Sequence, residues 1–512
     1  MGKKSKDKKK GKGAEKTQAK TDKKLSNKLK KELKDLGEDD IENIIAQIEK
    51  EEKKRLQVTE IQVDPPSRRL NFTFINHPLK DQLILFGGEF YNGQKTFVYN
   101  DLFFYSIQNN TWSLIKAPAG PPPRCGHQMV ATSANNGQLW VFGGEYASPT
   151  QTQFYHYKDL WVYYIESKQW EKILSPDGPS ARSGHRMVLV KKQIFLFGGF
   201  HDNLRDYKYF NDVYSFDLET YKWKKIEPVG TPPAPRSGCC MVPLKDGKIL
   251  IYGGYSKEKI KKDVDKGKIH SDAFLLALDK HDPTQTKYKW QQIKLGGQNF
   301  SPRCSMPIVT SVNNTLAYCY GGVFDTEEDE EDISGMFFNE FYYLDLEKLQ
   351  WHPVNLVKKK TKDEKIKRRK KIENTDNENS NDKEVVEVEE SMKSTTISDD
   401  GVFKVTIGPS IKHNDMSTND AEESINLFRP SPRINSGLAI NRGFLYLYGG
   451  MYEEGDKQFT YNDLYRIDLK KLDEWGVIID DDTSKMEWLG SESESCEESE
   501  DEGDDCSDME TD

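Results

Sequence analysis

No apolar run in this sequence approaches the ~20 residues that a membrane-crossing helix needs, and its start lacks the apolar stretch of a secretory signal. Gly2 fits no myristoylation motif, because position 6 is Lys6 rather than serine or threonine. Cysteine is scarce: there are seven in 512 residues, with neither zinc-site spacing nor a secreted disulfide arrangement. Cys125, Cys239 and Cys304 occupy or adjoin a small-residue slot shared with Ser183 and Ser237, which predicts buried apolar thiols. No nucleophile motif, phosphate loop or set of carboxylates stands out. These absences predict a chain with no catalytic residue, no metal and no cofactor, resident in the cytoplasm and/or nucleus and away from membranes.

What the chain has in quantity is a repeat. From Arg182 to Trp223 it shows four short runs rich in Val, Ile, Phe and Tyr, bounded by Gly, Asn and Asp, which read as four strands joined as hairpins. Double glycines recur at Gly87-Gly88, Gly143-Gly144, Gly198-Gly199, Gly253-Gly254, Gly321-Gly322 and Gly449-Gly450, the first four at a spacing of about 55 residues. An arginine precedes each pair: Arg69, Arg124, Arg182, Arg236, Arg303 and Arg433. Asn-Asp or a relative follows each pair, and a tryptophan closes five units at Trp112, Trp170, Trp223, Trp290 and Trp351. Trp475 and Trp488 both lie near the sixth closing position.

Six units in phase resemble the kelch repeat, whose family fold is a β-propeller with one four-stranded sheet per blade. The stretches LILFGGEFYNGQKTF, QFYHYKDLW and YGGYSKEKIKKDVDKGKIHSDAF are similar to one intracellular group of kelch domain-containing proteins. The expected fold is therefore all-β: a six-bladed kelch β-propeller with a short helical N-terminal extension, a disordered insertion and an acidic disordered tail. Its segments are a lysine-rich tail (1–24), an amphipathic helical stretch (25–56), blades 1–5 (57–356), a charged insertion (357–428), blade 6 (429–490) and an acidic tail (491–512). Residues Leu56 to Val63 form an alternating strand before the first arginine, which predicts the outer strand of the last blade, so that the two chain ends close one sheet.

The net charge of −10 hides opposed ends, basic at the start and acidic at the finish. In the N-terminal stretch, Ile41, Ile44, Ile45 and Ile48 share one helical face behind Asp39 or Asp40 as cap. The lysines ahead of it point only weakly to nucleic acid, since aromatics are not interleaved. Basic residues between Lys257 and Lys268 and acidic ones between Glu327 and Asp332 sit in equivalent loops of adjacent blades, which predicts mutual charge compensation. In the tail, Ser491, Ser495, Ser499 and Ser507 each have an acid three residues on, as acidophilic kinases require.

Strand alternation puts the 2–3 and 4–1 loops of every blade on one face. The 2–3 loops are long and carry Tyr91, Tyr99, Tyr155, Tyr157, Tyr207, Tyr209 and Tyr461, while 1–2 turns such as Lys191-Lys192 are short. The six arginines lie at the 4–1 junctions, hence near the same face. In the kelch family, arginines at matching positions bind acidic peptides, so the resemblance implies a cationic ring; the alternative is that each arginine only fastens its own blade. Long loops carrying Tyr and Arg are what protein-recognition surfaces use. The expected function is a non-enzymatic, monomeric scaffold for protein partners, including acidic peptide segments, in a nuclear or ribosome-production assembly. A ubiquitin-ligase substrate receptor is the alternative, with only Leu25 to Leu56 available as an adaptor segment. A propeller enzyme is the competing class. His127 and His185 occupy matching positions, but no full copper-ligand set accompanies them and no sialidase-type Ser-x-Asp-x-Gly turns recur.

Overall fold

The computed structural model describes residues 39–54, 57–202, 206–261, 264–284, 286–327, 333–356, 427–455 and 457–490. The expectations for the lysine-rich start, for most of the insertion and for the four tail serines lie outside these residues.

The chain forms a six-bladed β-propeller: six main sheets, each built on a four-stranded antiparallel meander. In the first blade, β1 (Thr59–Val63) lies outermost, β2 (Thr73–Asn76) lines the axis, and β3 (Gln82–Phe86), β6 (Leu102–Ser106) and β7 (Thr111–Lys116) follow outward. Between β3 and β6 the long loop is itself a two-stranded ribbon, β4 (Glu89–Tyr91) and β5 (Thr96–Val98). Blades 2 to 5 repeat this ribbon as separate hairpins, and in blade 6 the two central strands run on into one, from Phe444–Glu454 to Lys457–Asp468. Period-2 alternation alone would leave such a sheet one wet face. Here both faces are dry, because each sheet packs between two neighbours, and strands such as Leu83–Phe86 and Leu139–Phe142 are wholly buried.

Two repeat positions hold the blades together. Both glycines of each pair have positive φ, and a Cβ on Gly87 would stand 2.6 Å from the carbonyl oxygen of Arg124 in the next blade. That close approach lets the second glycine donate its N–H to the next blade's arginine carbonyl, as Gly88 does to Arg124, Gly144 to Arg182 and Gly199 to Arg236, all at 2.9 Å. The second position is the tryptophan. Its ring packs on the aromatic residue that precedes the glycine pair of the preceding blade: Trp170 on Phe86 (5.3 Å between centroids), Trp223 on Phe142 (5.4 Å), Trp290 on Phe197 (5.8 Å) and Trp351 on Tyr252 (5.5 Å). Trp475 does the same on Tyr320 at 5.7 Å, which makes it the closing residue of blade 6. Trp112 completes the circle on Tyr448 of blade 6, also at 5.7 Å.

The ring is therefore closed by packing, not by strand exchange, which corrects the expectation for Leu56 to Val63. β1 pairs antiparallel with β7 of the first blade, and Gly476–Ile479 supplies blade 6 with its own outer strand. The same habit appears elsewhere: Gly296–Gly297 and Val229, both in links ahead of a blade arginine, pair with the outer strand of the blade that the link enters. β1 is such an entering link, and its sequence signature is shared by an outer strand.

Candidate protein-interaction face

The helix expected near the N-terminus is α1 (Ile41–Lys54), and its cap is Asp40, whose carboxylate accepts the Glu42 N–H at 3.1 Å. It docks on the ribbon side of blade 2. Gln153 accepts the Ile41 N–H and donates to the Asp39 carbonyl, both at 3.0 Å, and Ile45 is buried. The C-terminal stretch reaches the same side of blade 1, where Trp488 packs edge-on against Tyr91 and Leu489 donates to the Asn92 carbonyl at 2.8 Å.

The six arginines, expected as a cationic ring at one mouth, are buried in their own blades, between 0 and 4% exposed. Each Nε donates to the carbonyl two residues back and each Nη1 to the first glycine of the pair, as Arg433 does to Ser431 (3.0 Å) and Gly449 (2.9 Å). The remaining donors meet the acid of the Asn-Asp position: Arg124 with Asp159, Arg182 with Asp212, Arg236 with Asp272, Arg303 with Glu340 and Arg433 with Asp463, at 2.5 to 2.8 Å. Arg69 lies 3.7 Å from Asp101. Burial pushes the Asp159 carboxyl up, but the charge and hydrogen bonds of Arg124, with those of Trp161 and Lys172, more than reverse this and hold it below the ordinary carboxylate range.

The tyrosines divide into two groups. Tyr99, Tyr157 and Tyr461 stack over Arg69, Arg124 and Arg433 at 4.2 to 4.3 Å, and Phe210 and Phe338 do so over Arg182 and Arg303. These rings belong to the fastening of five of the six blades, all but the fourth. Tyr91 is covered by Trp488, and its hydroxyl donates to the Gly93 carbonyl at 2.8 Å. Tyr155, Tyr207 and Tyr209 stay half-buried on the ribbons. Tyr209 links Phe200 (5.8 Å), Tyr207 (6.0 Å) and Tyr255 (6.4 Å) into one aromatic ledge across blades 3 and 4, and the Tyr207 hydroxyl donates to Asp265 at 2.7 Å. Two blade 4 lysines pair with acids outside the blade 5 loop: Lys268 with Glu258 on its own ribbon and Lys259 with Asp206 of blade 3. Glu328 to Asp332 lie outside the described residues.

A cavity of about 710 Å³ runs along the axis, lined by the innermost strands of all six blades. His127 and His185 sit between blades, against Phe86 and Phe142, and burial followed by the charge of the nearby arginine drives both below their ordinary value, His127 to about 3. They are neutral packing groups. Cys125, Cys239, Cys240, Cys304 and Cys319 are buried free thiols, and burial raises the pKa of four of them, Cys125, Cys239, Cys240 and Cys319. Two residues that sequence reasoning did not single out, Glu89 and Glu145, stand directly after the glycine pairs of blades 1 and 2. The repeated Gly-Gly-Glu was their only signal.

Geometry and repeat together define the class: this is a kelch-repeat β-propeller. Residues 69–283 match the family described as "FBX42, beta-propeller domain". Among curated proteins the chain is similar to Acyl-CoA-binding domain-containing protein 5 of Arabidopsis thaliana, 29% identical over 35% of this chain and 27% of that protein. It is also similar to Kelch repeat-containing protein 2 of Saccharomyces cerevisiae, 29% identical over 34% of this chain and 21% of that one. Kelch domain-containing protein 3 of Homo sapiens is 28% identical over 34% of this chain and 45% of its own length. The chain thus spans less than half the length of each of these relatives.

Proposed function

We propose that the chain is a non-enzymatic scaffold that presents the ribbon face of its propeller to a protein partner. The observation that carries this reading is the asymmetry between the two faces. Each of the six 2–3 connections projects as a β-ribbon with half-buried aromatic residues, whereas opposite turns such as Lys191-Lys192 only reverse the chain. Ribbons give such rings a rigid base, so little side-chain entropy is lost when a partner covers them. The buried arginines belong to the rigid base and not to the contact surface.

The experiment is quantitative affinity capture with Tyr207→Ala/Tyr209→Ala and, as the opposite-face control, Lys191→Ala/Lys192→Ala. Partners depleted by the tyrosine pair and retained by the lysine pair are the expected result. Equal recovery with both variants would sink the reading.

A further inference from the structure

The residue after each glycine pair marks six equivalent positions around the axis, because its backbone pairs with the residue after the blade arginine. These positions hold Glu89, Glu145, Phe200, Tyr255, Val323 and Met451. The ring is uneven: carboxylates occupy two adjacent blades, aromatic rings the next two and buried aliphatic side chains the last two. Glu145 and Phe200 line the axial cavity, and so does Asn71, whose amide donates to Glu89 at 2.8 Å.

Neither carboxylate has a counter-ion among the described residues. Glu145 accepts the Ser183 hydroxyl at 3.1 Å. Its other neighbour, His156, stands 3.4 Å away, but that Nε2 already accepts the Asp202 N–H at 3.0 Å, so it carries no proton to offer. Burial and the nearby His201 hold His156 neutral. Arg186, the one cation lining the cavity among the described residues, donates Nε to the Cys239 carbonyl and Nη1 to that of His185. A second, independent feature lies in the same cavity: Ser436 is 8% exposed and its hydroxyl finds no hydrogen-bond partner among the described residues.

We propose that this mouth receives a positively charged side chain of the protein partner, an arginine or lysine, which ion-pairs with Glu89 and Glu145 while its aliphatic stem lies against Phe200. The proposal rests on the ribbon face being the interaction surface and names what is read at its centre. Two half-buried carboxylates on adjacent blades repel one another, and a cation between them removes that cost. Burial, then the charge of Glu89, pushes the Glu145 carboxyl up to about 8, the direction expected of a carboxylate that lacks its partner. The cavity has the volume of a ligand pocket.

The test measures fluorescence anisotropy of a labelled hexapeptide with one central arginine flanked by leucines, on the full-length chain. Two further peptides replace the arginine with citrulline, its neutral isostere, or with glutamate. The arginine peptide is expected to bind at least about tenfold more tightly than the citrulline peptide, the equivalent of one charge-assisted contact. Glu89→Gln/Glu145→Gln should erase that difference, and Glu145→Lys, which supplies its own cation, should abolish binding. Thermal unfolding of each variant shows that it is folded. Equal binding of arginine and citrulline peptides, preference for glutamate, no binding at millimolar peptide, or an unchanged preference in the double variant would each overturn the proposal. If the glutamine pair keeps every captured partner while the tyrosine pair loses them, the scaffold reading stands and this inference falls.

Discussion

Replacing Arg433 with methionine should cost far more stability than replacing Arg303 in the same way. Both variants keep an apolar stem and remove the donors to two carbonyls, Ser431 and Gly449 in one blade and Ser301 and Gly321 in the other. Net loss there is about 1–2 kcal/mol in either blade. The difference lies in the acid left behind. Asp463 is 2% exposed, so Arg433→Met strands a buried carboxylate, and breaking such a pair costs roughly 3–5 kcal/mol. Glu340 is 43% exposed and turns to water once released, so solvent screening leaves its pair worth ~1 kcal/mol or less. Urea denaturation followed by tryptophan fluorescence should place Arg433→Met lower by at least about 2 kcal/mol. Arg433→Met/Asp463→Leu should recover most of that gap. Equal costs for the two single variants, or no recovery in the double, would refute the argument that each arginine is a fastening whose worth is set by its acid's burial.

Trp475→Ala should destabilise the propeller by roughly 3–5 kcal/mol, because its ring is buried against Tyr320 and Phe341. Trp488→Ala, which uncovers only the Tyr91 ribbon, should cost far less in the same denaturation assay. Stability should also fall as pH rises towards 8. The folded pKa of Glu145 lies above its unfolded value, so its contribution is fully present below about 4.3 and is lost on the way up to about 8. With 18% of the side chain exposed and Glu89 titrating beside it, the recoverable part is ~1–2 kcal/mol; Glu145→Gln should flatten that decline, and an unchanged slope would refute it. Joining Leu356 to Leu427 through a short Gly/Ser linker should leave both flanking blades intact, since loop-closure entropy changes slowly with length. A fall in Tm of more than about 8 °C would refute that expectation.

The six-bladed fold was legible because its determinants are local and repeated. A double glycine marks a backbone that meets the next blade too closely for a Cβ, and a tryptophan marks a ring wedged against the previous blade. Each carries its meaning at a fixed place in every unit. Residues whose role depends on what faces them in space were not legible in the same way. Arg124 and Asp159 are 35 residues apart, and only folding turns an expected surface guanidinium into a buried, doubly bonded one. The strand at Thr59–Val63 has the alternation of an outer strand of any blade, and only the packing of the entering links assigns it to the first. Trp475 and Trp488 are equivalent as letters; contact with Tyr320 separates them. Glu89 and Glu145 show the limit most clearly. The sequence places a glutamate after two glycine pairs, but only the closed ring sets them on adjacent blades beside the axial cavity, half-buried and, among the described residues, without a counter-ion. Chain pattern decides which backbone forms, because hydrogen bonding and burial repeat locally, whereas the charge state and company of a side chain are set by neighbours that the chain brings together from afar.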